Sequence, residues 1–392
     1  MAKFMTDTPV TSSTETGSNE DRIKVFVHLA HGQDVIAWEK MWSEGSLVGI
    51  CDPTPYGYHR ARKMGCDVEF SLKIKNSPIL NLFRLAFRVI FGFDYIHARN
   101  NKKAALEADV IWTHTEPQFL AIALLMALRG KNKPRPKILA QSVWLYDKWA
   151  KLDPIRKAFY RYLVQHVDIL TVHSKLNLEV AKKLFPNKPV ELVRFGIPHE
   201  GMEAPVLRAN TPHRIVCIGN DRHRDWQTAV DAFANQPGIE LKIFSTKLSP
   251  SFARGAPNIE IRGLKTDTEL KQEIAAASIM VVPLKPNLHA SGATVSQEAI
   301  IHGVPLIVSD AGGLDGYYDA DAVTFVPAQD PEALRAAATT LLSDPERAME
   351  RARRAQIPIE NGELNADRFI EQHVEISREL LGMDRTIPAE SA

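Results

Sequence analysis

Two trains of short β-branched runs, each run followed by a helical or turn signal, set the strongest limit on this chain. Residues 23–29, 47–51, 110–113, 137–140, 169–172 and 190–193 make the first train, and 215–218, 240–244, 259–261, 279–283 and 306–309 the second. Short apolar strands separated by helices build parallel sheets covered on both faces. Between 196 and 212 the periodicity gives way to turn residues. The pattern therefore predicts two tandem Rossmann-like, doubly wound α/β domains facing a cleft, spanning 22–200 and 201–363. A tail, 1–21, precedes them, and 364–392 follows, with a helix at 366–381 expected to pack back across the lobes. In such sheets ligands bind beyond the carboxyl ends of the strands, so the cleft is the expected site.

The chain has 392 residues, 45% hydrophobic and 24% charged, which excludes wholesale disorder, collagen and coiled coil. Its charge is uneven. Residues 1–200 carry 29 Lys and Arg against 20 Asp and Glu, leaving 19 against 27 in the remainder. A basic first half suits an anionic partner, such as a phospholipid surface or a phosphorylated acceptor. Cys51, Cys66 and Cys217 stand apart and are odd in number, which indicates neither a disulfide framework nor a zinc site and fits a reducing cytoplasm. The tail lacks the apolar core of a signal peptide and reads as disordered. The longest apolar run, 119–128, is about half of the ~20 residues that a spanning helix needs.

Residues 279–318 read as strand, phosphate loop, helix, strand and loop. Ser291 and Gly292 precede the helix, where glycine lets a ligand approach the backbone and free N–H groups favour an anion. Thr294 adds a hydroxyl. Glu298 lies one turn further in on the same face, within reach of a group bound beyond the phosphate. A capped helix with a structural glutamate is the alternative reading.

The ordered succession VDILTVHSKLNLEVAKKLF, VELVRFGIP, RIVCIGNDRHRDWQTAVDAF, IEIRG, SIMVVPL and SGATVSQEAIIHGVPLIVSDAGG resembles the retaining nucleotide-sugar glycosyltransferases of the GT-B fold, glycosyltransferase family 4. The resemblance runs over about 22–381. It implies that Glu298 holds the donor ribose while Ser291, Gly292, Ala293 and Thr294 line the phosphate and sugar end. Gly219 and Asn220 then border the donor diphosphate, with Arg224 in the place of the family's lysine and Arg222 as a second cation. Asn220 stands where an arginine is common, and Ala290, beside His289, where a sugar-binding glutamate is usual. Gly32 corresponds to the first-lobe glycine loop. His114 is a cleft candidate; Gln141, Ser142 and Trp144 occupy the neighbourhood of the family's cleft histidine. The catalytic set implied is His114, Arg224 and Glu298. No metal or cofactor is expected, and Asp319-Ala-Asp321 reads as a solvated turn.

The segment 73–103 carries Lys73, Lys75, Arg84, Arg88, Arg99, Lys102 and Lys103 against Asp94 alone. Within it, Asn81, Arg84 and Arg88 form one polar stripe on an otherwise apolar helix at 79–91. Such a helix is either core with one wet edge or an interfacial helix lying among lipid headgroups. The expectation is a cytoplasmic enzyme, peripheral to the inner membrane face. It would move a hexose-type sugar from a nucleotide sugar to a lipid or lipid-linked acceptor, with no nucleic-acid partner. The alternatives are a non-transferring, epimerase-like enzyme and a non-catalytic nucleotide-sugar binding module.

Overall fold

Strands whose residues are buried on both faces dominate the computed structural model, which describes residues 22–49, 52–130, 133–206, 208 and 211–387. In the first lobe β1 (Ile23–His28), β2 (Cys66–Phe70), β3 (Val110–Thr113), β4 (Lys137–Ser142), β5 (Ile169–Val172) and β6 (Val190–Leu192) form a parallel sheet in the order β2-β1-β3-β4-β5-β6. The second lobe repeats the plan with β7 (His213–Ile218), β8 (Ile239–Phe244), β9 (Ile259–Arg262), β10 (Ile279–Val282), β11 (Leu306–Asp310) and β12 (Thr324–Pro327), ordered β12-β11-β10-β7-β8-β9. β3, β5 and β10 are buried at every position, as sheets covered by helices on both sides require.

Two expectations about strands change. The first-lobe edge strand is β2, not 47–51: residues 47–49 form no strand, and 50–51 lie outside the described residues. Gly45 and Gly49 take φ of 64° and 77°, which breaks extended backbone there. β2 alternates buried and exposed positions, the mark of an edge. β12 completes the second sheet although its four residues carry little sequence signal.

The lobes are tied by the segment after β6. Gln297 donates from Nε2 to Phe195 O (2.9 Å) and accepts from Ile197 N (3.1 Å), while Phe195 N donates to the Tyr317 hydroxyl (3.1 Å). The C-terminal helix Ala366–Leu380 then lies on the first lobe. Trp112 Nε1 donates to Ser377 Oγ at 2.8 Å, and Arg60 pairs with Asp367 at 2.9 Å. One apolar core consequently runs from Val27 and Trp112 through Phe195 and Phe369 to Val282. Residues 1–21 lie outside the described residues.

The basic segment departs from expectation in its orientation. Helix Pro78–Phe91 begins at Ser77, whose hydroxyl accepts from Leu80 N, and ends at Gly92 with φ 83°. Arg84 is buried, donating to Asp94 at 2.7 Å and to Asn81 Oδ1 at 3.0 Å. Arg84 thus faces the protein, with Asn81 beside it, because Asp94 waits there for a cation, while Arg88 one turn on stays exposed. The apolar flanks face outward: Ile79 is 70% exposed, Leu82 69%, Phe83 65% and Val89 78%. Arg84 therefore leaves the predicted membrane-facing set, whereas Lys73, Lys75, Arg88, Arg99, Lys102 and Lys103 are exposed. No helix among the described residues is long and apolar enough to cross a membrane.

Candidate active site

The loop after β10 leads into helix Ala293–Ile301 through left-handed backbone at Ala290 (φ 54°) and Gly292 (φ 95°). A Cβ on Gly292 would stand 2.6 Å from Val282 Cγ1, so this turn demands glycine. No side chain caps the helix, and Ala293 and Thr294 in its first turn line the cleft. Ser291 is pinned from both sides: its N–H donates to Asn287 Oδ1 (3.1 Å), and its Oγ accepts from Arg224 Nη1 (3.2 Å).

Arg224 is the charge at the centre of this wall. It leaves the loop after β7, 6% exposed, and donates from Nε to Ile218 O at 3.2 Å. Gly219 makes room for it, since a Cβ there would collide with the guanidinium. Among the described residues no carboxylate lies within ion-pair distance of it, and burial pulls its pKa down to about 10. A buried cation that feels Asp221 only from beyond ion-pair distance, beside an uncapped helix, is unfavourable until an anion arrives. Arg222, two residues earlier, is exposed.

Two cavities share Arg224 and Thr294. One, of about 350 Å³, has apolar walls from Ile218, Phe244, Leu264 and Leu270, with Glu298 at one side. Its shape and lining suit a flat base with a polyol beside it. Glu298 is 9% exposed. Asn220 borders this cavity but spends its Oδ1 on Thr246 N (2.8 Å), Thr246 Oγ1 and Ser245 Oγ, so it latches two loops together.

The second cavity, of about 250 Å³, lies between Ser291, Gly292 and Ala293 on one lobe and His114, Trp144 and Tyr56 on the other. His114 is stacked on Tyr56 with ring centroids 3.3 Å apart, and its Nδ1 meets the Tyr58 hydroxyl at 2.9 Å and Gln141 Nε2 at 3.3 Å. Burial, with His173 and His373 nearby, holds its pKa well below the ordinary value. The imidazole is a neutral hydrogen-bonding wall rather than a proton reservoir at neutral pH. Gln141 donates on to His173 Nε2 at 2.8 Å. Ser142 is fully buried behind the wall. Gly32 is exposed on the loop after β1 and lines neither cavity.

Sequence reasoning missed Tyr56, His173 and Tyr317, which line the second cavity, and undervalued Asp147 and His289. His289 Nδ1 meets Asp147 Oδ2 across the lobes at 2.9 Å. Burial works against a charged imidazole there, but the Asp147 and Asp221 carboxylates outweigh it and raise the pKa. The Pro-Tyr-Gly-Tyr run at 55–58 was a turn signal open to a sequence reader, and in the structure Tyr56 takes φ 61° there. Asp321 pairs with Arg354 at 3.0 Å on the surface.

Residues 207–344 match the family model for glycosyl transferases group 1. No curated protein matches the sequence. Among solved structures, a sucrose-phosphate synthase from Thermosynechococcus elongatus superposes with a TM-score of 0.70 at 17% identity, covering 92% of this chain and 100% of that one. Anabaena HepE, solved in complex with UDP-glucose, superposes with a TM-score of 0.63 at 12% identity and the same coverage. A Rickettsia africae glycosyltransferase gives 0.60 at 12% identity, over 92% of this chain and 99% of its own. These likenesses carry the fold, and the matched second lobe carries the activity. With a group 1 glycosyl transferase domain set in a GT-B architecture, the chain is a glycosyltransferase.

Proposed function

We propose that the chain transfers a hexose-type sugar from a nucleotide diphosphate donor to a hydroxyl of a membrane lipid or lipid-linked glycan, with retention of anomeric configuration. The observation that carries the donor half is Arg224, a buried cation lacking a carboxylate partner among the described residues, set against the open N-terminus of helix Ala293–Ile301. Together they stabilise the diphosphate as it departs, an interaction that grows toward the transition state. Glu298 accepts from the ribose hydroxyls, and the apolar wall of Phe244 and Leu264 holds the base. His114, neutral and fixed by Tyr58, orients the transferring sugar or the acceptor. No side chain serves as nucleophile in this scheme; the leaving phosphate takes the acceptor's proton on the same face.

The acceptor half rests on helix Pro78–Phe91. Its exposed apolar face continues to Ile155, 81% exposed, because Arg156 donates to Val89 O at 3.1 Å and docks the neighbouring helix there. Lys73, Lys75 and Arg88 rim it. An apolar face with a basic rim matches the headgroup boundary of an anionic leaflet, which supports a station at the inner membrane face. The test combines vesicle sedimentation with radiolabelled sugar transfer into lipid extract. Leu82→Ser with Phe83→Ser and Val89→Ser should lower sedimentation with anionic vesicles while the thermal melt is kept. Wild-type sedimentation by that folded variant would remove the membrane claim, and label confined to the aqueous phase would favour a soluble acceptor.

A further inference from the structure

Four side chains converge where the lobes meet beside the second cavity. Asp147, on the first-lobe helix Leu145–Trp149, accepts from Leu288 N at 2.8 Å through Oδ1 and from His289 Nδ1 at 2.9 Å through Oδ2. His289 is buried, its side chain 3% exposed. With Nδ1 engaged as a donor, its Nε2 is left buried without a hydrogen bond, 3.4 Å from Asp221 Oδ2. Asp221 in turn meets His223 Nδ1 at 3.1 Å. The ligand atoms of Asp221, His223 and His289 all lie within 4.8 Å of one another.

An imidazole lone pair aimed at a carboxylate is repulsive unless a cation stands between them. A proton would satisfy that pair alone, whereas a metal ion would also engage His223, whose Nδ1 otherwise hydrogen-bonds Asp221 Oδ1 at 3.1 Å. Two imidazoles and one carboxylate are the donor set of an open, four-coordinate transition-metal site, in which bonds of about 2.0–2.1 Å put neighbouring ligand atoms about 3.3 Å apart. The 3.4 Å from His289 Nε2 to Asp221 Oδ2 agrees with that edge, while His223 Nδ1 meets the other oxygen, Oδ1, at 3.1 Å. The Asp147–His289 contact is the outer carboxylate that fixes the tautomer of a metal-bound histidine.

We propose that Asp221, His223 and His289 bind a divalent metal ion of the zinc type, with Asp147 of the other lobe orienting His289 and the fourth position open to the cavity. The spacing of the sequence hides this set, since the three ligands come from two separate loops and their orienting carboxylate from the other lobe. The proposal does not rest on the sugar-transfer reading: it concerns binding of the metal alone.

The experiment strips the full-length chain with a chelator, then titrates Co²⁺ by visible absorption and Zn²⁺ by equilibrium dialysis with elemental analysis. One equivalent per chain is expected, with the intense visible bands of four-coordinate Co²⁺. His223→Ala should weaken binding at least tenfold without moving the thermal melt, because its ring is only half-buried on its loop. Asp147→Asn should weaken it about 10–100-fold through orientation alone. His289→Gln should abolish the absorption. Absence of stoichiometric binding overturns the site. So does full-strength binding in a folded His223→Ala variant, which would place the ion on other histidines.

Discussion

Replacing Arg224 with methionine separates the contribution of this side chain to binding from its contribution to folding. The guanidinium is 6% exposed, and burial pulls its pKa down to about 10. At about 1.4 kcal/mol for each tenfold loss of proton affinity, the buried charge costs the folded lobe about 3 kcal/mol. The sign follows from the direction: a base with depressed affinity in the folded state is destabilising wherever it is still protonated, which covers all pH values below about 10. Its hydrogen bonds to Ile218 O and Ser291 Oγ return about 1 kcal/mol each. Methionine fills similar volume without the charge. The donor-free Arg224→Met protein should therefore be as stable as the wild type or up to ~1 kcal/mol more stable. Its affinity for nucleoside diphosphates should fall about 10–100-fold, since a charge-assisted contact to a buried phosphate is worth roughly 1.5–3 kcal/mol. Denaturant melts with and without a panel of nucleoside diphosphates, beside calorimetric titration, measure both. A variant that loses several kcal/mol of stability yet binds nucleotide as before would make Arg224 a structural pin and refute the reasoning.

Three further outcomes follow from the same geometry. Glu298→Gln should raise the dissociation constant for nucleotide about tenfold or more while leaving the melt nearly in place, and an unchanged constant in calorimetry would remove the ribose assignment. Arg84→Glu should cost about 3–5 kcal/mol because it sets a carboxylate against Asp94, whereas Arg88→Glu should leave the melt alone and weaken sedimentation with anionic vesicles; equal behaviour of the two would contradict the inward orientation of Arg84. Burial holds His173 and His373 at pKa values of about 4, against an ordinary 6.5. The unfolded chain therefore takes up protons first as pH falls below about 6.5, so stability should decline between about pH 6.5 and 4 and level off below that; denaturant midpoints flat across this window would show that the rings are charged in the folded state.

Much of the fold was legible because parallel strands announce themselves. Buried on both faces, β3, β5 and β10 are apolar runs broken only by Thr113 and Thr171, and any reader of the sequence finds them. β2 and β12 escaped because edge strands carry half the apolar signal, and 47–51 misled because a β-branched composition says nothing of the glycine turns that break it. In the candidate site, Glu298 and the Ser291–Thr294 loop could be placed from local spacing, for a helix fixes which residues share its first two turns.

Facing and convergence were not legible. Asn81, Arg84 and Arg88 lie on one stripe in any helix, and only the position of Asp94 decides that Arg84 turns inward and that Leu82, Phe83 and Val89 meet solvent. Asp147 and His289 are far apart in sequence, on different lobes, and meet only because Leu288 N and His289 Nδ1 both reach one carboxylate. The same holds for Arg224, whose lack of a carboxylate partner among the described residues is a property of everything folded around it. Local periodicity is set by backbone geometry within a few residues and is written in the chain; the burial and pairing of a charge depend on which distant elements pack against it, and that was decided by the tertiary structure.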